Sequence, residues 1–138
     1  MVDESKRKSL WGELPKAEAL RAPKVVLQEQ ADILYESTEG QLRGRIDTST
    51  SPPDKIIHEF FVVAPYVNDY SVNILDVYHG ALAYPAKVKN NIAKGPGLLG
   101  FIPDYECNNV EELEKALALI LQSKVVRNVI SSLLAQSR

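Results

Sequence analysis

Two histidines, a pair of carboxylates and one cysteine are the residues with which this 138-residue chain could do chemistry. His58 and Glu59 are adjacent, and Asp76 and His79 follow on a later segment. Paired carboxylates suit general acid–base work or a divalent ion, and histidine changes charge near neutral pH. The candidate catalytic residues are therefore His58, Glu59 and Asp76. Zinc wants three or four ligands at fixed spacing, which two histidines do not supply, so no metal site is expected. His58 stands among Ile56, Ile57, Phe60 and Phe61. That setting favours a hydrogen-bonded core histidine over a ligand. His79 precedes Gly80 and reads as an exposed turn residue.

The remaining motifs carry less. Gly95-Pro96-Gly97-Leu98-Leu99-Gly100 matches GxGxxG in letters. A phosphate loop must open a helix, so that backbone N–H groups point at the phosphates, and Pro103 opposes one. No nucleotide or other cofactor is expected. Pro53-Asp54 ahead of Glu59 resembles the acidic part of a metal-dependent nuclease core, but Phe61 stands where the lysine belongs. Cys107 has no histidine near it in sequence, and Ser131-Ser132 lie in a helical pattern, not on a nucleophile elbow.

Composition bounds the rest. The chain is 45% hydrophobic and 25% charged, ordinary for a globular protein of one-domain size. A single cysteine excludes a disulfide framework. The net charge of −2 provides no basic field for nucleic acid. The longest apolar run, Phe60 to Val67, is too short for a membrane span and contains Pro65. The first residues, Met1 to Lys8, have no apolar stretch after their charges, so no signal peptide is expected and the location is read as cytoplasmic.

The elements that must position these residues follow from periodicity. Residues 1–22 are polar with isolated Leu10, Trp11, Leu14 and Leu20, a pattern for a flexible or docking arm. Residues 23–138 read as one α+β domain. Pro23 suits the first position of a helix, Val26, Leu27, Gln30, Ala31, Ile33 and Leu34 form its stripe, and Gly40 can end it. Strands are expected at 41–47, 55–65, 70–79 and 82–89, with a short fifth at 101–107. Short links make this an antiparallel meander of four to five strands. Asn109 with Glu112 forms a capping box at the start of a helix whose stripe is Val110, Leu113, Leu117, Ile120 and Leu121. Ser123 can cap a last helix at 124–136. The fold is thus an N-terminal helix, the meander, and two C-terminal helices.

Tight turns would set the register. They place Glu59 opposite Asp76, Ile57 opposite Tyr78 and Phe61 opposite Ile74. A two-residue turn at Gly80-Ala81 would place His79 opposite Leu82, Val77 opposite Tyr84 and Leu75 opposite Ala86. Arg43 falls beside Glu59 and Leu42 beside Phe60. One face then carries the main core. The other carries Phe61, Val63, Val72, Ile74 and Tyr78 with Ile57, crossed by a charged row of Arg43, Glu59, Asp76 and Lys87. An apolar wall of that size needs a cover.

With no convergent catalytic group, the expected function is a non-catalytic protein-interaction module of adaptor, chaperone-like or toxin-neutralising type. It would use that second face or the C-terminal helix pair to bind a protein or a copy of itself. Expected binding residues are Phe61, Val63, Val72, Ile74, Tyr78, Arg43 and Lys87. The alternative is a small-ligand binder or hydrolase with a pocket near His58 and the Glu59/Asp76 carboxylates.

Overall fold

The computed structural model describes residues 7–16, 20–92 and 105–137. The chain runs α1 (Pro23–Ser37), β1 (Arg43–Ser51), β2 (Lys55–Ala64), a 3-10 turn (Pro65–Val67), β3 (Tyr70–His79), β4 (Ala86–Asn90), β5 (Tyr105–Cys107), α2 (Val110–Leu121) and α3 (Lys124–Gln136). The five strands form one antiparallel sheet in sequence order. This is the α+β meander with one leading and two trailing helices that the periodicities predict.

The helix ends explain themselves. Pro23 opens α1, where its missing N–H costs nothing. Gly40, at φ 81°, donates its N–H to the Tyr35 carbonyl at 2.8 Å and stops the helix in the left-handed region. The Thr38 hydroxyl then donates to the Leu34 carbonyl at 2.8 Å and accepts from the Leu42 N–H at 3.1 Å, tying the helix end to the approach of β1. At α2 the Asn109 side chain accepts from the Glu112 N–H at 2.9 Å, and Glu112 Oε1 accepts from the Asn108 N–H at 2.7 Å. Ser123 caps α3 through the Val126 N–H. Arg21 ties the segment ahead of α1 to the body. It pairs with Glu29 of α1 and Glu114 of α2, and its carbonyl accepts from the Tyr84 hydroxyl at 2.7 Å. Trp11 does not dock on the body; it is 79% exposed.

The register departs from the expected one in three places. β1 pairs with β2 from Arg43–Val63 to Ser51–Lys55, so Arg43 is not beside Glu59; Asp47 is, and Ile46 lies opposite Phe60. The strand runs on through Thr48, Ser49 and Thr50, whose polarity reads as loop but belongs to an edge strand with little to bury. Between β2 and β3, Glu59–Asp76 and Ile57–Tyr78 pair as expected, but a bulge then sets Phe61 opposite Asn73. Ile74 is the extra residue, and the bulge turns it to the helix side. Finally, β4 starts at Ala86, opposite His79, with Val88 opposite Val77 and Asn90 opposite Leu75. Gly80 to Pro85 is a loop, not a two-residue turn. Pro85 has no N–H for the ladder, so pairing resumes only after it. Of the expected fifth strand, residues 101–104 lie outside the described residues, and Tyr105–Cys107 is strand.

All three helices pack on one side of the sheet, burying most of their stripes; Ile33 of α1, expected on the buried stripe, is half exposed, because it lies to one side of the Leu27–Ala31 line that rests on the sheet. Val26, Leu27 and Ala31 of α1, Leu113 and Ile120 of α2, and Val126 and Leu133 of α3 share one cluster with Phe60, Val62, Leu75, Val77 and Val88. The tightest contact is between α1 and β1. A Cβ on Gly44 would lie 2.5 Å from the Ala31 Cβ and 2.8 Å from its Cα. Glycine here lets the helix rest directly on the strand backbone. Among the described residues no single helix is long and apolar enough to cross a membrane. The α2–α3 pair passes that test only as a unit bent by 60°, and most of its apolar residues face the core, Leu119 and Val125 being exposed.

Candidate functional site

The two histidines are bonded to each other. His58 of β2 and His79 of β3 are diagonal neighbours, since Ile56 lies opposite His79. Their Nε2 atoms are 3.0 Å apart. His79 Nδ1 lies 2.7 Å from the Gly80 carbonyl, which can only accept. The neutral His79 therefore carries its proton on Nδ1 and accepts at Nε2. His58 must then donate from Nε2 and accept at Nδ1 from the Thr48 hydroxyl, 2.9 Å away. The result is a one-way chain from Thr48 through His58 and His79 to Gly80. One added proton is accommodated if Thr48 turns to accept. A second would put two N–H groups head to head and break the Nε2 contact. His58 is buried, and that burial, with help from His79 and Lys24, lowers its pKa to about 4.

His79 also borders a cleft of about 190 Å³ at the end of the sheet, with Asp54, Lys55, Tyr78, Lys87 and Glu106. Glu59 and Asp76 do not line it. They are directly opposed on the open face, which they share with Tyr78 and Lys87 of the cleft but not with His58, because neighbours on a strand alternate faces. His58 and the carboxylate pair therefore cannot share a pocket. The charged row is Asp47, Glu59, Asp76 and Lys89, not the Arg43-to-Lys87 row expected. Asp47 pairs with Arg45 at 3.2 Å, and Asp76 accepts from Asn73 Nδ2 at 3.3 Å. Among the described residues no three His, Cys, Asp or Glu are placed to hold a metal ion.

The second sheet face is less apolar than the sequence suggests. Ile74 is fully buried in the main core, and Val72 packs against it from the helix side. What remains is Ile57, Phe61 and Tyr78, all half-buried, and a buried Val63 opposite Arg43. The Arg45 guanidinium lies over the Phe61 ring at 4.4 Å, and Lys55 Nζ lies 5.4 Å from the Tyr78 ring. These cations cover the aromatic faces with their own stems and charges. Lys87, opposite Tyr78 and Glu106, is exposed.

The larger opening lies elsewhere. A groove of about 600 Å³ separates α3 from the turn between β2 and β3. Val67, Tyr70 and Val72 form one wall, and Val125, Val129 and Leu133 the other. Asn128, Ser132 and Gln136 line it too, and their i, i+4 spacing makes a polar stripe along α3. No acid, base or histidine borders it. The sequence carried a signal for this groove: Val125 falls outside the stripe of Val126, Val129, Ile130, Leu133 and Leu134, so α3 has more apolar surface than one contact uses. Thr48, assigned to a loop, was missed as the partner of His58.

Cys107 is buried and free, and burial, with Glu112 and Glu106 nearby, pushes its thiol above the ordinary range. It is not an activated nucleophile. The Gly95–Gly100 motif lies outside the described residues. Comparison with family models, curated proteins and solved structures finds no match for the chain.

Proposed function

We propose that the chain is a non-catalytic protein-interaction module, of adaptor, chaperone-like or toxin-neutralising type, whose working surface is the groove beneath α3. The occupant is an uncharged, apolar segment of a partner protein. One observation carries this reading: the roomiest of the described cavities is walled by Val67, Val72, Val125, Val129 and Leu133 and contains no acid or base. Such walls favour apolar side chains, and the Asn128–Ser132–Gln136 stripe can hydrogen-bond the backbone of a segment lying along α3. A charged segment would lose hydration there without gaining a counter-ion. We place the module in the cytoplasm as part of the same proposal.

The ligand-binding or hydrolytic alternative is weaker, because its proposed acids and its histidine lie on opposite faces of the sheet. Peptide selection against the chain, with Val129→Asp as counter-target, tests the proposal. The expected peptides are apolar and uncharged, bind the parent chain and lose the variant. Peptides that bind both proteins equally contradict it.

A further inference from the structure

β1 forms one edge of the sheet. Its inner side pairs with β2 over nine consecutive positions without a bulge. Its outer amides and carbonyls make no backbone hydrogen bond to another described segment. Proteins usually blunt such an edge with proline, charged side chains, a bulge or a covering loop. The β1 sequence Arg-Gly-Arg-Ile-Asp-Thr-Ser-Thr-Ser has no proline, and its charges, Arg43, Arg45 and Asp47, are of both signs and so can complement a second copy instead of repelling it; Asp47 to Thr50 are exposed. The opposite edge, β5, spans only three residues.

We propose that β1 is a self-association edge: two copies pair antiparallel through β1 about a two-fold axis at Ile46, joining their sheets into one. This surface is independent of the groove. The register follows from the side chains. Opposed residues in an antiparallel pair share a face, so the axis must pass through a residue, not between two. An axis at Arg45 sets that arginine against itself, and an axis at Asp47 does the same with two carboxylates. An axis at Ile46 sets Arg45 of each copy opposite Asp47 of the other, twice by symmetry. The two residues already share the open face of one chain, with Arg45 Nε 3.2 Å from Asp47 Oδ1 and side chains 42% and 48% exposed. Pairing would extend that contact into a four-charge cluster. The same axis opposes Gly44 to Thr48 and Arg43 to Ser49. On the helix side it brings the two Ile46 side chains together.

Sedimentation velocity over a concentration series tests the pairing. The parent chain is expected to dimerise. Arg45→Asp or Asp47→Arg alone puts like charges opposite each other twice and should weaken the dimer at least about tenfold. The double exchange R45D/D47R should restore it, with far-UV circular dichroism reporting that every variant is folded. Should a single reversal fail to fold, the pair R43C/S49C reads the register instead: oxidation is expected to link two chains covalently. A parent chain that stays monomeric throughout, a dimer indifferent to the single reversals, an exchange that restores nothing, or a dimer that does not cross-link would each overturn the proposal.

Discussion

His58 and His79 share one proton between Nε2 atoms 3.0 Å apart, and the fixed carbonyl of Gly80 decides which way that proton points. The bond ties β2 to β3 at the end of the sheet, and Thr48 of β1 extends it to a third strand. The pair is thus a clamp across three strands, and protonating His58 costs its desolvation and the turning of Thr48.

Acid should loosen that clamp. In the unfolded chain His58 titrates near 6.5, whereas burial lowers it to about 4 in the folded protein. Between those values the unfolded state binds a proton that the folded state refuses. The group's stabilisation is therefore complete above about pH 6.5 and falls as pH drops toward 4, by about 3 kcal/mol in all. His58→Gln keeps a donor and an acceptor without titrating. Urea unfolding at about pH 7 and pH 4 should show the parent losing that much more than the variant; parallel losses would contradict the assignment.

The seat of α1 on β1 should tolerate no side chain at position 44. A methyl there meets Ala31 backbone and side chain at under 3 Å. Gly44→Ala should force the helix outward and cost about 1–3 kcal/mol, as over-packing typically does. Thermal unfolding reads this as a fall of roughly 3–10 °C. An unchanged melting temperature would mean that the helix has room to shift.

The bulge separates two residues that a regular ladder would pair. Ile74 is in the core, while Phe61 sits half-buried under Arg45 on the open face. Ile74→Asp should therefore unfold the chain, since it buries an unpaired charge. Phe61→Asp should stay folded and lose no more than about 2 kcal/mol. Circular dichroism of the two variants distinguishes this from the regular pairing, which would make them equivalent.

The α2 cap offers a smaller test. Asn109→Ala removes the acceptor for the Glu112 N–H and should cost about 1 kcal/mol, with Glu112→Ala costing less because the higher helix propensity of alanine offsets part of the lost bond to Asn108. Denaturant midpoints for the two variants check the order.

Helices were legible here because their signals are local. Pro23, Gly40, Asn109, Glu112 and Ser123 mark boundaries through their own backbone chemistry, and the apolar stripes identify the buried sides. The Glu59–Asp76 pairing came out as expected only by compensation: the chain reversal sets Ala64 opposite Tyr70, one residue off the expected register, and the bulge restores it before Glu59. Sequence reading failed where register depends on something non-local. Nothing in Val72-Asn73-Ile74-Leu75 announces a bulge; it arises because Ile74 and Leu75 both gain from the same core. The length of β1 was hidden because an edge strand of Thr and Ser needs no alternating apolar side. The same reasons moved the candidate site: once Val72 and Ile74 turn to the helix side, the second face loses two of its apolar residues, and Val72 joins the groove under α3 instead.

Site-specific photocrosslinking in the cells that make the protein tests the central claim most directly. A photoreactive side chain is placed in turn at Val129 in the groove, Phe61 on the open sheet face, and Lys87 beside the His79 cleft. A discrete protein adduct is expected from position 129 and none from the other two. Adducts from 61 or 87 with nothing at 129 would contradict the claim.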